Sequence, residues 1–178
     1  VSSLYQMQTQ AVASVWDHHR VQVPLVRVDE ALAFEHAIPK LGLQVWQCMA
    51  GGQAVPDRHD VDPCRMGGYL PHLSLFNVTQ DDAGRALMRP RLIGADLAGV
   101  LGDFAGTALS DVLAPKALAH WRGLSAKMSC HRAPLRVTGK LVTAVKDHVQ
   151  FESLLAPLTD GGTAVKAVYA VSVFMRRG

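Results

Sequence analysis

The chain has 178 residues, 49% hydrophobic and 19% charged, which is enough apolar content for one packed domain and argues against disorder. Its net charge of +3 is spread along the sequence, with Arg176–Arg177 as the adjacent basic pair, so it carries no electrostatic footprint for nucleic acid. No apolar run is long enough to span a bilayer and no signal peptide is recognisable; Cys48, Cys64 and Cys130 are scattered, with no CxxC pair, which points to reduced thiols and the cytoplasm.

Residues 5–19 read as a helix with Tyr5, Val12, Val15 and Trp16 near one face. Residues 21–28 read as extended, because Pro24 stops a helix. Asp29 is a candidate N-cap for a second helix, in which Phe34, Ile38, Leu41, Val45 and Cys48 form an amphipathic stripe. Pro39 predicts a kink or break in it, and Gly51-Gly52 its end. A polar, turn-rich stretch follows at 53–69. Residues 70–79 then alternate like a strand, and 85–93 read as a second strand that Pro90 confines to an edge or a bulge.

Residues 95–113 read as short helical pieces cut by Gly99, Gly102 and Gly106. Pro115 opens a longer helix, with Leu118, Trp121, Leu124 and Met128 on one face, and Pro134 closes the helical stretch. Three strands follow, at 135–147, 148–159 and 163–175, with Asp160-Gly161-Gly162 as a hairpin signal. In the last strand Val165, Ala167, Tyr169, Val171, Val173 and Met175 share one face. Val168, Ala170 and Phe174 on the other form an apolar strip, expected to be an outer face.

Two strands, short broken helices, one longer helix and a three-strand meander resemble the PAS fold. Local motifs resemble a bacterial, stand-alone PAS-like branch. They are Trp46, then Val55-Pro56-Asp57-Arg58 and Asp60-Val61-Asp62-Pro63, then Arg91-Leu92-Ile93-Gly94, then Gly102-Asp103-Phe104-Ala105-Gly106. The last runs from Phe151-Glu152 through Ala156-Pro157-Leu158 to Asp160-Gly161-Gly162. The resemblance implies an α+β fold, with a five-stranded antiparallel sheet and helices on one face. It also implies a non-enzymatic sensory or regulatory role in signal transduction. Residues 1–28 form an N-terminal helix and extended segment outside the resemblance, and 29–178 the PAS-like domain.

His59, Asp60, Asp62 and Cys64 carry metal-donor side chains, but their spacing fits no familiar zinc site. The expectation is a structural loop without metal, in which Asp62 caps a short helix and Arg58 pairs with an aspartate. Neither haem nor flavin is expected. His120 points away from the core-facing Trp121, and no N-C-R motif is present. No catalytic dyad stands out, since Cys130 and His131 are sequence neighbours on a helix. Glu152 lies in an apolar strand and needs a partner, with Lys140, Arg136 and Arg91 as candidates.

The expected ligand pocket lies between sheet and long helix, around Phe104, Leu118, Trp121, Leu124, Met128 and Tyr169. Its ligand would be small and mostly hydrophobic. The alternative is a ligand-free dimerisation module; a small metal-dependent enzyme ranks third. A homodimer is expected through the N-terminal helix and the outer sheet face, with no nucleic-acid or membrane partner.

Overall fold

The computed structural model describes residues 22–142 and 148–176. Its elements are β1 (Gln22–Asp29), α1 (Ala37–Ala50), β2 (Leu73–Gln80), β3 (Ala86–Leu92), α2 (Ala95–Leu101), α3 (Leu109–Val112), α4 (Pro115–His131), β4 (Leu135–Val142), β5 (His148–Leu158) and β6 (Ala167–Arg176). Three short 3-10 turns, Arg58–Asp60, Pro63–Arg65 and Gly67–His72, join α1 to β2. The strands form one antiparallel sheet in the order β1-β4-β5-β6-β2-β3. The five expected strands are β2 to β6, and α4 connects β3 to β4, as the PAS order requires.

The sixth strand is β1, built from the segment that Pro24 marked as extended. It pairs with β4, Val26 opposite Gly139, and its register slips between Gln22 and Leu25. Pro24 falls in that slip, on an edge strand, where a missing N–H breaks no ladder. Pro90 solves the same problem at the other edge, next to a register shift between Leu75 and Phe76.

Both faces of the sheet are covered. The inner face carries α2, α3 and α4 over a core that includes Phe76, Val137, Val149, Phe151, Leu155, Val168 and Ala170. The outer face carries α1 and the 3-10 turns over Leu73, Leu154, Ala156, Leu158, Tyr169 and Val171. The first of the helices therefore packs opposite the others. Among the described residues no helix is long and apolar enough to cross a membrane.

The second helix starts later than the stripe suggested, and its buried face is rotated: Ile38 and Val45 of the stripe pack against the outer core, whereas Leu41 and Cys48 do not. The Asp29 carboxylate accepts from Ala31 N and Ala33 N and closes a turn, with Leu32 at a left-handed φ of 56°. The helix begins only at Ala37, so Pro39 sits in its first turn, where its absent N–H costs nothing. Pro39, Gly42, Trp46 and Ala50 are buried, whereas Leu41 is 41% exposed and Cys48 is exposed. Gly42 decides this choice. A Cβ there would lie 2.8 Å from Val171 Cγ2, so glycine lets the helix close onto the sheet. Gly42→Ala is expected to lower stability by about 1–3 kcal/mol in thermal or urea unfolding. An unchanged midpoint would mean that α1 can shift at no cost.

The last connection is longer than the Asp160-Gly161-Gly162 signal implied. β6 begins at Ala167, not at residue 163, and Thr159–Lys166 forms the loop, with Gly161 at φ 66°. Lys166 N donates to Leu158 O, and Val78 N to Lys166 O, so the loop is tied to two strands.

Candidate ligand cavity and its outer-face anchor

A cavity of about 60 Å³ lies between the inner sheet face and the helices. Its floor is Phe76 from β2, Phe151, Ser153 and Leu155 from β5, and Ala170, Ser172 and Phe174 from β6. Leu97 and Leu101 of α2, Phe104 from the following loop and Trp121 of α4 form its walls. Gly102, at φ 83°, ends α2, and Gly106 N donates to Pro90 O, which turns the loop so that Phe104 is 3% exposed. No residue of α2 is fully buried, so this wall is the most lightly held.

Apart from the indole N–H of Trp121, the polar side chains of the lining are Ser153 and Ser172, which face each other across β5 and β6, their Oγ atoms 2.7 Å apart. Phe151 and Phe174 also stand opposite, ring centroids 6.4 Å apart and tilted by 39°. None of the lining side chains titrates.

Of the expected pocket residues, Phe104 and Trp121 line the cavity. Leu124 and Met128 are buried in the core beside it, and Leu118 packs against that core; these three do not line the space. Tyr169 lies on the opposite face of the sheet, fully buried, its hydroxyl 2.7 Å from that of Tyr69. Burial raises both phenols above their ordinary value. The error was one of face. Val168, Ala170 and Phe174, expected outside, belong to the inner core, and the strip is covered by this chain itself. The proposed cover, Val12, Val15 and Trp16, lies outside the described residues. Ser172 falls between Ala170 and Phe174 in the same alternation, and Ser153 stands opposite it on β5, a pairing that the strip's apolar members alone do not reveal.

Directly across the sheet from Ser153, the next side chain along β5 anchors α1. Glu152 is 2% exposed. Its carboxylate accepts from Glu35 N (3.0 Å), His36 N (2.8 Å) and Arg136 Nε (2.6 Å), and lies 2.8 Å from His36 Nδ1. Arg136 also donates to Glu35 Oε1 at 2.9 Å and lies 3.7 Å from Asp29 Oδ2. The carboxylate thus ties down the two residues just before α1, which has no side-chain N-cap of its own, and places a negative charge near the positive end of that helix. Burial pushes the Glu152 carboxyl up, but the two backbone N–H groups, Arg136 and His36 outweigh it and hold the group below its ordinary value. A depressed folded pKa means stability that is full above the ordinary value of 4.5 and lost as pH falls through the folded value. Glu152→Gln is therefore expected to flatten the acid limb of a stability-against-pH curve below about pH 4.5. An acid limb identical to wild type would show that other carboxylates govern it.

The acidic loop is structural in geometry. Asp57 accepts from His59 N and Gly161 N, and Asp60 accepts from Asp57 N, a reciprocal cap on the first 3-10 turn. These bonds hold the Asp57 carboxyl well below its ordinary value. Asp62 caps Pro63–Arg65 as expected, accepting from Cys64 N. Arg58 pairs with Asp160, 3.3 Å away, rather than with an aspartate of its own segment. Arg58 N donates to Thr159 O, and Thr159 N to Pro56 O, which stitches the loop to the end of β5. Among the described residues the donor groups that cluster are Asp57, His59 and Asp160, not the His59, Asp60, Asp62 and Cys64 set. Arg91 is exposed on β3 and takes no part in the Glu152 network. Trp46 Nε1 donates to Pro157 O at 2.9 Å, joining two of the sequence motifs on the outer face.

An antiparallel sheet, helices over its inner face and a cavity between them are a PAS-like arrangement. A PAS domain family model matches residues 35–170, and the chain belongs to the PAS domain family. No curated protein and no solved structure matches it. PAS domains generally act as non-catalytic sensory, regulatory or interaction modules.

Proposed function

We propose that this domain is a regulatory PAS module that takes a small, mostly hydrophobic ligand in the cup under α2 and α4. The cavity carries this reading: aromatic and leucine side chains from seven elements leave a space whose hydroxyl lining is one pair of serines. Partly open, largely apolar space of this kind favours uncharged, apolar guests. A guest there would press on α2, the wall with no fully buried residue, which gives occupancy a route to a changed surface. The unpaired, exposed thiols of Cys48, Cys64 and Cys130 fit a reducing compartment, and the cytoplasm is the proposed location.

Xenon tests the cavity without assuming a ligand. Xenon under pressure is expected to shift the NMR signals of Phe76, Trp121 and Phe174, and Leu97→Trp, which fills the space from the half-buried wall, to abolish the shift. No response in a folded wild type would favour the second reading, a ligand-free interaction module. That reading has its own support in the outer face beyond α1. There Arg27, Thr138, Lys140, Gln150 and Met175 line an open groove of about 550 Å³ beside the edge strand β1. A homodimer through this face is its proposed form, and sedimentation would detect it.

A further inference from the structure

We propose that Ser153 and Ser172 form the selective anchor of the cavity, and that its ligand is a small uncharged molecule with one hydrogen-bond-accepting oxygen, such as a short ketone, aldehyde or ester. The proposal rests on reading the cavity as a ligand site. Its basis is a proton count. Each serine has one hydroxyl proton, and the 2.7 Å bond between the two oxygens uses one of them. The other proton has no acceptor among the described residues, since the pair bonds only to itself. It sits on the sheet floor, with Ser153 3% exposed and Ser172 half-buried, between Phe151, Leu155, Ala170 and Phe174.

An apolar pair at these positions would pack the floor as well, so the hydroxyls are not needed to fill it. A hydrocarbon in the cavity would seal off the spare proton from water and leave it unpaired. An ion would lose its hydration with no opposite charge on the lining to replace it. Water is a poor occupant too. A space of about 60 Å³ admits several waters. Each needs two to four polar partners, which one serine pair does not supply for all of them. An acceptor oxygen on a short alkyl body meets both demands: the oxygen takes the proton, and the body meets the rings. A longer chain can leave past Leu97, Leu101, Trp121 and Phe174, all only partly buried.

The test compares 2-butanone with 2-methyl-1-butene, which has the same shape and lacks the oxygen, by NMR titration of the folded domain. Wild type is expected to bind the ketone about tenfold more tightly, the scale of one hydrogen bond. Ser153→Ala and Ser172→Ala each remove one proton and also the internal bond. One free donor remains, so each single variant is expected to keep the preference. The double variant has no hydroxyl donor, and with Trp121→Phe added to remove the indole N–H of the wall it is expected to bind both probes equally. Equal binding by wild type, or a preference that survives in that variant, overturns the anchor and leaves the cavity reading standing. If neither probe nor xenon binds the folded wild type, the cavity reading fails and the anchor with it.

Discussion

Replacing Arg136 with leucine is expected to cost about 3–5 kcal/mol, the scale for breaking a buried ion pair from one side. Arg136 is 13% exposed at its side chain and Glu152 2%. Without the guanidinium, a buried carboxylate keeps only the Glu35 and His36 contacts, and those belong to the segment it must hold in place. The reverse change, Glu152→Leu, is expected to cost less. Arg136 would keep Glu35 and Asp29, both closer to water, as partners. The double variant Arg136→Leu/Glu152→Leu is expected to recover part of the loss, because no buried charge is left alone. Urea unfolding of the three variants checks the order. A loss below about 1 kcal/mol for Arg136→Leu would show that water reaches Glu152 from the groove beside it.

Gly94→Ala is the second large effect, expected near 3 kcal/mol, the upper end for overpacking. A Cβ at Gly94 would lie 2.4 Å from Pro71 O and 2.5 Å from Leu73 O. These are backbone atoms, and no rotamer change moves them. The backbone conformation is ordinary, with φ −66°, so the cost is one of space and not of torsion. Gly94 N donates to the Ser74 hydroxyl at 3.1 Å, and its carbonyl accepts from Ala98 N, so a shift to relieve the clash would pull on both β2 and α2. Gly99→Ala, one turn further along α2, is the control. Nothing lies within 4 Å of a Cβ there, and a neutral effect or a gain of up to about 1 kcal/mol is expected. Equal outcomes at the two positions would mean that α2 does not seat against Pro71 and Leu73 as described.

The strand order, the long helix opened by Pro115 and the need of Glu152 for a partner were all legible in the sequence. The choice among its partners was not. Arg136 and Lys140 flank Thr138 symmetrically on one face of β4, and Thr138 stands opposite Glu152. Only the arrival of Glu35 beside Arg136 breaks the tie. The face of β6 was illegible for a related reason. Val168 and Tyr169 are adjacent and both fully buried, because this sheet has a core on each side. Alternation can tell a wet face from a dry one, but not one core from another. The same double coverage hid the serine pair of the cavity, which looks like the polar side of a strand although both faces are covered. The α1 stripe failed because period alone ranks leucine above glycine, whereas Val171 requires a residue with no side chain at Gly42.

The strand order also governs how the chain comes together. β4, β5 and β6 follow one another and pair as neighbours, so this meander needs only short loops to close. β1 and β2 have no such luxury: Gln22 must find Val142, and Leu73 must find Val171. Such distant pairings exact a loop-closure entropy before they return any contact, and they slow folding. On the ribosome, the first three strands emerge before either of their central partners exists. The β2–β3 hairpin can form early, but the edge of β2 stays open until β6 is made. The late meander is therefore the piece on which the rest assembles, and nascent chains that stall before residue 167 hold unpaired strand edges, the state most exposed to aggregation.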